Sequence, residues 1–393
     1  MKISNFYAAF AAITYSYLGY AGTTAVQHTD IRQMSPSARF PDLANEPLPP
    51  GNTLTKDYFQ KAYPKLTASQ LDDKWSKASA SPMALMRSYV NVWYDDVAKV
   101  KDPGSIGPCF GDAHIDNFGY IRFADNQWHY TYNDLDDVGD CPVIFDALRY
   151  FTTLSLLLND PVSEKKVRDA YIEFLNGKSL DPLPSDSSVP DYDTLLSKAQ
   201  KKNLDDNGLV LSKKDERLTP AEQGQIFAEL RKTLLFPDEL KFLDIYKFDK
   251  TGGGSAAQER YFLDAIDADG QTVFFELKEL SQPATEHGAW SKNWTLTRQD
   301  FAQDLWGDNT PKYLRFPFLN GKPFILRFSL KKSINLESLS RKEEVAVLTE
   351  EVYTIAQLHK KTIAGTPEYS DWLREQTVFM VNRYSEALQN SLR

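Results

Sequence analysis

The sequence predicts an α+β fold with a small antiparallel-sheet lobe and a larger helical lobe. Apolar residues recur at helical spacing in several segments on both sides of the chain centre. Three consecutive strand patterns, LDIYKFD, RYFLDAID and TVFFELKEL, begin at residue 243. At 393 residues the chain is long enough to divide a large core between two lobes.

Composition narrows the classes of partner. Charged residues make up 25% of the chain and apolar residues 42%, which is typical of a soluble globular protein. The net charge of −9 argues against nucleic acid as a partner, because phosphate backbones attract basic surfaces.

The N-terminus has the pattern of an export signal. Residues 3–27 contain no charged side chain, Lys2 precedes them, and small residues surround Ala25. We therefore expect residues 1–25 to be a cleaved signal peptide of a periplasmic or secreted protein, with no membrane span after processing. A cytoplasmic protein with a buried first helix and a membrane anchor are the alternatives.

The remaining elements follow in chain order. Residues 26–76 are rich in Pro, Ser and Asp and are predicted to be a linker and N-terminal extension. Residues 77–240 are predicted to form the helical lobe, and residues 241–332 the sheet lobe, closed by a hairpin with an Asn320-Gly321 turn. C-terminal helices in residues 333–393 complete the helical lobe. Within the first lobe we expect helices at 81–100, 147–158, 164–177 and 221–234, with a polar connection over 180–222.

Residues 110–137 concentrate the chemistry of the chain. FGYIRF and WHYTY read as two strands joined by the turn ADNQ, with the polar clusters GDAHIDN and YNDLDD outside them. Such a hairpin places Asp112, Asn117 and Asp134 near one another, and their oxygens suit Mg²⁺ and phosphate. An acidic surface turn is one alternative. A metallophosphoesterase is another, but it needs several His ligands, and the chain has only five His.

A second centre lies in the predicted sheet. Lys278 stands in an apolar strand, where an unpaired charge is costly. The loop Gly252, Gly253, Gly254, Ser255 lets backbone N–H groups approach phosphates. Asp300 or Asp304 is the predicted acidic partner of Lys278, with Glu276 or Glu279 as substitutes. A solvent-facing Lys278 is the alternative reading.

These motifs resemble kinase-like phosphotransferases, whose small-molecule members carry GDxHxxN and, one hairpin later, an apolar-Asp-x-x-Asp segment. Ordinary kinases place the glycine-rich loop and lysine before the catalytic base, and here that order is reversed. The chain resembles the bacterial family called domain of unknown function 2252, which looks like a circularly permuted kinase. The matching segments, across residues 77–365, include ASPMALMRSYV, CFGDAHIDNFG, YNDLDDVGDCPVIFDALRY, GGGSAAQERYFL, FELKEL, ILRFSLKKS and YTIAQLHKKT.

The resemblance implies a two-lobed, circularly permuted protein-kinase-like fold that uses ATP and Mg²⁺. The γ-phosphoryl group would move to a hydroxyl of a protein or small-molecule acceptor. Asp112 would be the base, Asn117 and Asp134 the metal ligands, and Asp146 a structural residue. Lys278 and the loop Gly252, Gly253, Gly254, Ser255 would bind the nucleotide. Nucleotidyl transfer on the same scaffold and a non-catalytic nucleotide-binding protein are the alternatives.

Cys109 and Cys141 flank the acidic hairpin. In an exported protein they are candidates for a disulfide that clasps the site. Two buried thiols are the equally open alternative.

Overall fold

The structure is a computed structural model. It describes residues 40–46, 55–63, 66–100, 103–180, 189–206, 208–212, 215–233, 240–248, 258–288 and 294–391. All of them belong to one compact unit, Ser35–Arg393. The predicted signal peptide and the predicted nucleotide loop Gly252, Gly253, Gly254, Ser255 lie outside the described residues.

Helices and antiparallel strands alternate along the chain, so the predicted α+β class is confirmed. The helices are α1 (Lys56–Ala62), α2 (Ala68–Ala78), α3 (Pro82–Ser88), α4 (Val90–Val97), α5 (Val143–Leu158), α6 (Pro161–Leu175), α7 (Tyr192–Asn203), α8 (Pro220–Thr233), α9 (Trp294–Trp306), α10 (Arg341–His359) and α11 (Pro367–Ser391). The strands are β1 (Ile106–Cys109), β2 (Phe118–Arg122), β3 (Trp128–Tyr132), β4 (Gly139–Pro142), β5 (Leu204–Asp205), β6 (Gly208–Leu209), β7 (Glu216–Arg217), β8 (Leu240–Lys247), β9 (Arg260–Asp267), β10 (Thr272–Glu279), β11 (Phe318–Leu319), β12 (Lys322–Phe328) and β13 (Lys331–Lys332).

Helix α5 is the central helix of the helical part. Its residues are almost all buried, including two charged residues, Asp146 and Arg149. The helix packs against α6 and α11. The single helix predicted over 81–100 is instead two, because Tyr89 leaves the helical conformation at φ −120° and ψ 41°. The Tyr89 hydroxyl donates to the Thr55 carbonyl at 2.9 Å, which ties this break to the segment before α1.

The largest sheet has the order β11-β12-β10-β9-β8-β7 and is antiparallel throughout. The predicted Asn-Gly turn is present, with φ of 51° at Asn320 and 76° at Gly321. One face packs on α7 and α8 through Leu196, Phe227 and Leu230. Helix α8 corresponds to the helix predicted at 221–234, and α7 lies in the segment predicted as a polar connection over 180–222.

Two smaller sheets carry the acidic hairpin. Strands β2 and β3 pair as predicted, with Phe118 opposite Tyr132, and β13 adds to β2. Strand β1 pairs with β4, which brings Cys109 and Cys141 within a Cα distance of 5.8 Å as a disulfide. Of the two alternatives for Cys109 and Cys141, the structure therefore has the disulfide and not two buried thiols. None of the described helices is both long and apolar enough to cross a bilayer.

Candidate functional site

Two loops meet at the ends of the β2–β3 hairpin. The first covers residues 110–117 and the second residues 133–138. The Asn133 N–H donates to the Asn117 carbonyl at 2.8 Å. Gly111 has φ 76°, and a Cβ there would overlap the Asp137 carbonyl oxygen, so only glycine permits this approach. The hairpin thus brings the loops of Asp112, Asn117 and Asp134 together, as the sequence predicts.

Asp112 is held as an anion. Arg149, whose side chain is fully buried, donates to Asp112 Oδ1 through Nε at 3.0 Å and also through Nη2. His114 Nδ1 accepts from the Asp116 N–H, so the ring proton is on Nε2, 3.5 Å from Asp112 Oδ2. Burial by itself raises the pKa of Asp112, but Arg149 and His114 outweigh it and hold that pKa well below its ordinary value.

Asp146, on α5, holds the first loop in place through hydrogen bonds to its backbone. Its carboxylate accepts from the backbone N–H of Phe110 at 2.7 Å and of Gly111 at 3.0 Å. His359, near the end of α10, lies 3.1 Å from the same carboxylate and 2.8 Å from the Tyr171 hydroxyl. These contacts fit the structural role that the resemblance implies for Asp146, and they explain why a helix far along the chain belongs to the site.

The oxygens of the two loops fit a hard cation. The Asn117 side chain donates through Nδ2 to the Asp112 carbonyl at 3.0 Å, which leaves Oδ1 as the ligand atom. Oδ1 of Asp134 and Oδ1 of Asp136 are buried and accept no hydrogen bond from the described residues. Within those same residues, no three or more His, Cys, Asp or Glu side chains form a metal cluster. Mg²⁺ commonly uses one or two carboxylates with phosphate oxygens and water, so Asn117 and Asp134 suit it.

Lys278 reaches this site from the sheet. It is 1% exposed, so the solvent-facing alternative is wrong, and its Nζ makes an ion pair with Asp136 Oδ2. Burial lowers the pKa of Lys278, and the carboxylate of Asp134 opposes that change. The acidic partner therefore comes from the second loop rather than from α9.

The acidic residues predicted as partners of Lys278 contact other groups. Asp304 pairs with Lys361 at 2.9 Å, and Asp300 is exposed. Glu276 binds Arg260 and Arg327. Glu279 lies 3.5 Å from Lys322.

Three arginines at the site were missed. Arg149 and Arg327 interrupt apolar segments, LRYF and FILRF, as Lys278 does, and the same argument from buried charge identifies both. Arg298 on α9 donates to the carbonyls of Leu135 at 3.0 Å and Ser281 at 2.8 Å, and also to that of Asp136. Arg298 stands among polar residues in TLTRQD, so no local signal marks it.

Asp137 adds a titratable carboxyl to the second loop. Its Oδ1 accepts from the Ala284 N–H at 2.9 Å. Burial, reinforced by the charge of Asp112, raises the pKa of Asp137 to about 6. The site therefore holds one carboxyl that is ionised at all ordinary pH values and another that titrates in the mildly acidic range.

Comparison with known proteins supports the family resemblance over part of the chain. No curated protein and no solved structure matches the sequence. Residues 67–177 match the model of a family described as an uncharacterized protein conserved in bacteria, DUF2252. The matched stretch contains both loops and the buried Asp146, but ends before Lys278. Over residues 67–177 the chain therefore carries the sequence pattern of the DUF2252 family.

Proposed function

We propose that the protein is a Mg²⁺- and ATP-dependent phosphotransferase with a circularly permuted kinase-like fold. The observation that carries the proposal is the contact between Lys278 and the second loop. A kinase requires a lysine on the small sheet beside the acids of the catalytic and metal loops. Here the lysine follows the acids in sequence, yet its Nζ contacts Asp136, two residues from Asp134. A circularly permuted chain can therefore place the lysine beside these acids although the lysine follows them in sequence.

Each residue then has a separate role. Asn117 and Asp134 would hold Mg²⁺, which would offset the charge of the phosphates. Lys278 binds phosphate oxygens with its ammonium group. Asp112 orients the acceptor hydroxyl, whose oxygen forms a bond to the γ-phosphorus while the bond from that phosphorus to the bridging oxygen of ADP breaks. The hydroxyl proton passes to Asp112 and then to solvent.

The ion pair with Arg149 makes Asp112 a weak base. A loose phosphoryl-transfer transition state develops little charge on the attacking oxygen, so orientation contributes more than early deprotonation. A carboxylate locked in place by a buried guanidinium is suited to orientation. Because the ion pair with Arg149 makes Asp112 a weak base, Asp112 accepts the proton only late in the reaction, once the new oxygen–phosphorus bond has made the hydroxyl acidic.

Labelled ATP tests the proposal against its two alternatives. The protein is incubated with lysate and ATP labelled on either the α- or the γ-phosphate, beside the Asp112→Asn variant. Transfer of γ-label alone, lost in the variant, is the expected result. Transfer of α-label would identify a nucleotidyl transferase. Binding of ATP without transfer of either label would identify a non-catalytic nucleotide-binding protein.

A further inference from the structure

The sheet presents a charged face to the second loop. Residues directly opposite in antiparallel strands point to the same face, and so do alternate residues of one strand. Lys278 is opposite Arg260 of β9, and Glu276 is opposite Arg327 of β12. Three cations and one carboxylate therefore lie together on the face that carries Lys278.

Arg327 is a member of this group that makes an ion pair with the predicted metal ligand Asp134. It donates to Glu276 Oε2 through Nε at 2.8 Å, and its Nη2 lies 2.7 Å from the same oxygen. Its Nη1 lies 3.6 Å from Asp134 Oδ1, which is too long for a hydrogen bond, and 3.4 Å from the Asn133 carbonyl. Its side chain is 17% exposed, so these groups supply most of its charge neutralisation.

Lys278 and Arg327 are two cations that reach the second loop from the sheet in a similar way. They stand on neighbouring strands, and each faces one of two aspartates that are two residues apart, Asp136 and Asp134. If Asp134 binds Mg²⁺, its carboxylate no longer neutralises Arg327. Arg260 also contacts Glu276, so one carboxylate serves two guanidinium groups, and an additional anion beside Arg327 is favourable. A planar guanidinium binds two phosphate oxygens at once, which a lysine does not.

We infer that Arg327 is a second phosphate-binding residue, which exchanges its contacts with Asp134 and Glu276 for oxygens of the ligand's polyphosphate. The inference rests on the proposed function and deepens it. The preferred ligand is a nucleoside triphosphate or diphosphate, because Lys278, the metal and a two-pronged Arg327 together call for more oxygens than the three that a monophosphate ester offers.

Binding measured with and without metal tests whether Arg327 exchanges Asp134 for phosphate. The affinities of ATP, AMP and inorganic tripolyphosphate are measured by calorimetry, with and without Mg²⁺, for the parent and for Arg327→Met. Lys322→Met is the matched control, since Lys322 lies on the same strand and contacts Glu259 and Glu279 instead. With Mg²⁺ present, we expect Arg327→Met to bind ATP and tripolyphosphate roughly 10- to 100-fold more weakly, as for a lost charge-assisted hydrogen bond. The loss should be smaller without Mg²⁺, because Asp134 then still neutralises the guanidinium of the parent. AMP binding should change little, and Lys322→Met should match the parent.

Two results would overturn the inference. One is an Arg327→Met variant that binds ATP and tripolyphosphate like the parent. If that variant also transfers γ-label, the proposed function stands and only the role of Arg327 falls. The other is a parent protein that binds neither ligand, and if transfer is also absent, the proposed function falls with it.

A further variant covers the case in which Arg327→Met does not fold. Arg327→Lys keeps the charge and should recover only part of the affinity, because it lacks the two-pronged geometry. An Arg327→Lys variant with full affinity would also overturn the inference.

Discussion

Lys278 on β10 and Asp136 in the second loop form a direct ion pair at the junction of the large sheet and the acidic hairpin. Lys278 is almost fully buried and Asp136 largely so, with side-chain exposures of 2% and 15%. Removing one partner of a buried pair strands the other charge, whereas removing both does not. Stability and ligand binding by Lys278 are therefore separable by mutation.

The first prediction uses that separation. Lys278→Met should lower the free energy of unfolding by about 3–5 kcal/mol, because it leaves the carboxylate of Asp136 without its cation. Adding Asp136→Asn should restore most of the loss. Affinity for ATP should remain weak in both variants, since both lack the ammonium group. Denaturant unfolding and calorimetry measure the two effects, and restoration of ATP affinity in the double variant would contradict the role of Lys278 in phosphate binding.

The second prediction separates the two loops. Asp112→Asn should reduce transfer by roughly 10²- to 10⁴-fold with ATP affinity nearly kept, the usual range for losing a general base. Asp134→Asn should weaken Mg²⁺-dependent ATP binding and transfer together, with partial rescue by excess Mg²⁺ or by Mn²⁺. Phosphoryl transfer and ATP affinity are followed over a range of Mg²⁺ concentrations. Loss of ATP binding in Asp112→Asn, together with unchanged ATP binding and transfer in Asp134→Asn, would refute both assignments.

Local patterns were sufficient for the hairpins and for the position of the acids. The turn residues ADNQ and Asn320-Gly321 and the alternation of FGYIRF and WHYTY determine strand pairs whose partners are close in sequence. Burial of Lys278 followed from a similar argument, because its neighbours are apolar. The Cys109–Cys141 pairing was left open, since it depends on β1 meeting β4.

Long-range contacts were not predictable from local patterns. The partner of Lys278 was sought on the next helix in sequence, but Asp136 precedes the lysine by 142 residues. The packing of α7 on the sheet was missed because residues 180–222 read as polar and irregular, and that of α8 because its spacing predicts a helix but not the surface on which it packs. Tyr89 ends α3 for a tertiary reason, its contact with Thr55, which the apolar spacing of residues 81–100 does not encode.

The third prediction concerns the disulfide. The bridge joins residues 32 positions apart, and both sulfur-bearing side chains are fully buried. Loop closure of this length stabilises a fold by about 3–4 kcal/mol through the unfolded chain. The Cys109→Ala, Cys141→Ala variant should lose about that much free energy of unfolding. Under the proposed function, transfer should fall at temperatures near the lowered midpoint of unfolding, because both loops of the candidate site adjoin the bridge. The parent is also refolded and unfolded in the presence of reductant and, separately, in its absence. Equal unfolding curves for these two samples would contradict the prediction.

The fourth prediction is a pH dependence of stability. Glu351 on α10 is fully buried and accepts from Tyr130 at 2.6 Å and Tyr150 at 2.9 Å. Burial raises its pKa from 4.5 to about 8, so its stabilising effect is complete below pH 4.5 and is lost as pH rises through 8. Its contribution to the free energy of unfolding should fall by up to about 1.4 kcal/mol per pH unit in that interval.

Glu351→Gln tests the fourth prediction, because an amide cannot ionise. The variant should remove this slope, whereas Glu344→Gln, an ion-paired residue on the same helix, should keep it. Denaturant unfolding between pH 4.5 and 9 measures the difference. Parallel curves for the parent and Glu351→Gln would contradict the prediction.

The last prediction concerns Arg149, which under the proposed function would act on the reaction through Asp112. In the parent, the pKa of Asp112 lies well below its ordinary value, so transfer should show no acid limb from this group in the range where the protein is folded. Arg149→Gln removes the guanidinium but leaves the burial, which raises the pKa of a carboxyl. An acid limb should then appear at higher pH, with activity lost as pH falls because Asp112 becomes protonated. Arg149→Lys keeps the charge and should move the limb much less, and unfolding measured at each pH separates this effect from loss of the hydrogen bond to Met86. If Arg149→Gln and the parent have the same kcat/KM profile against pH, then Asp112 is not the group whose ionisation governs transfer.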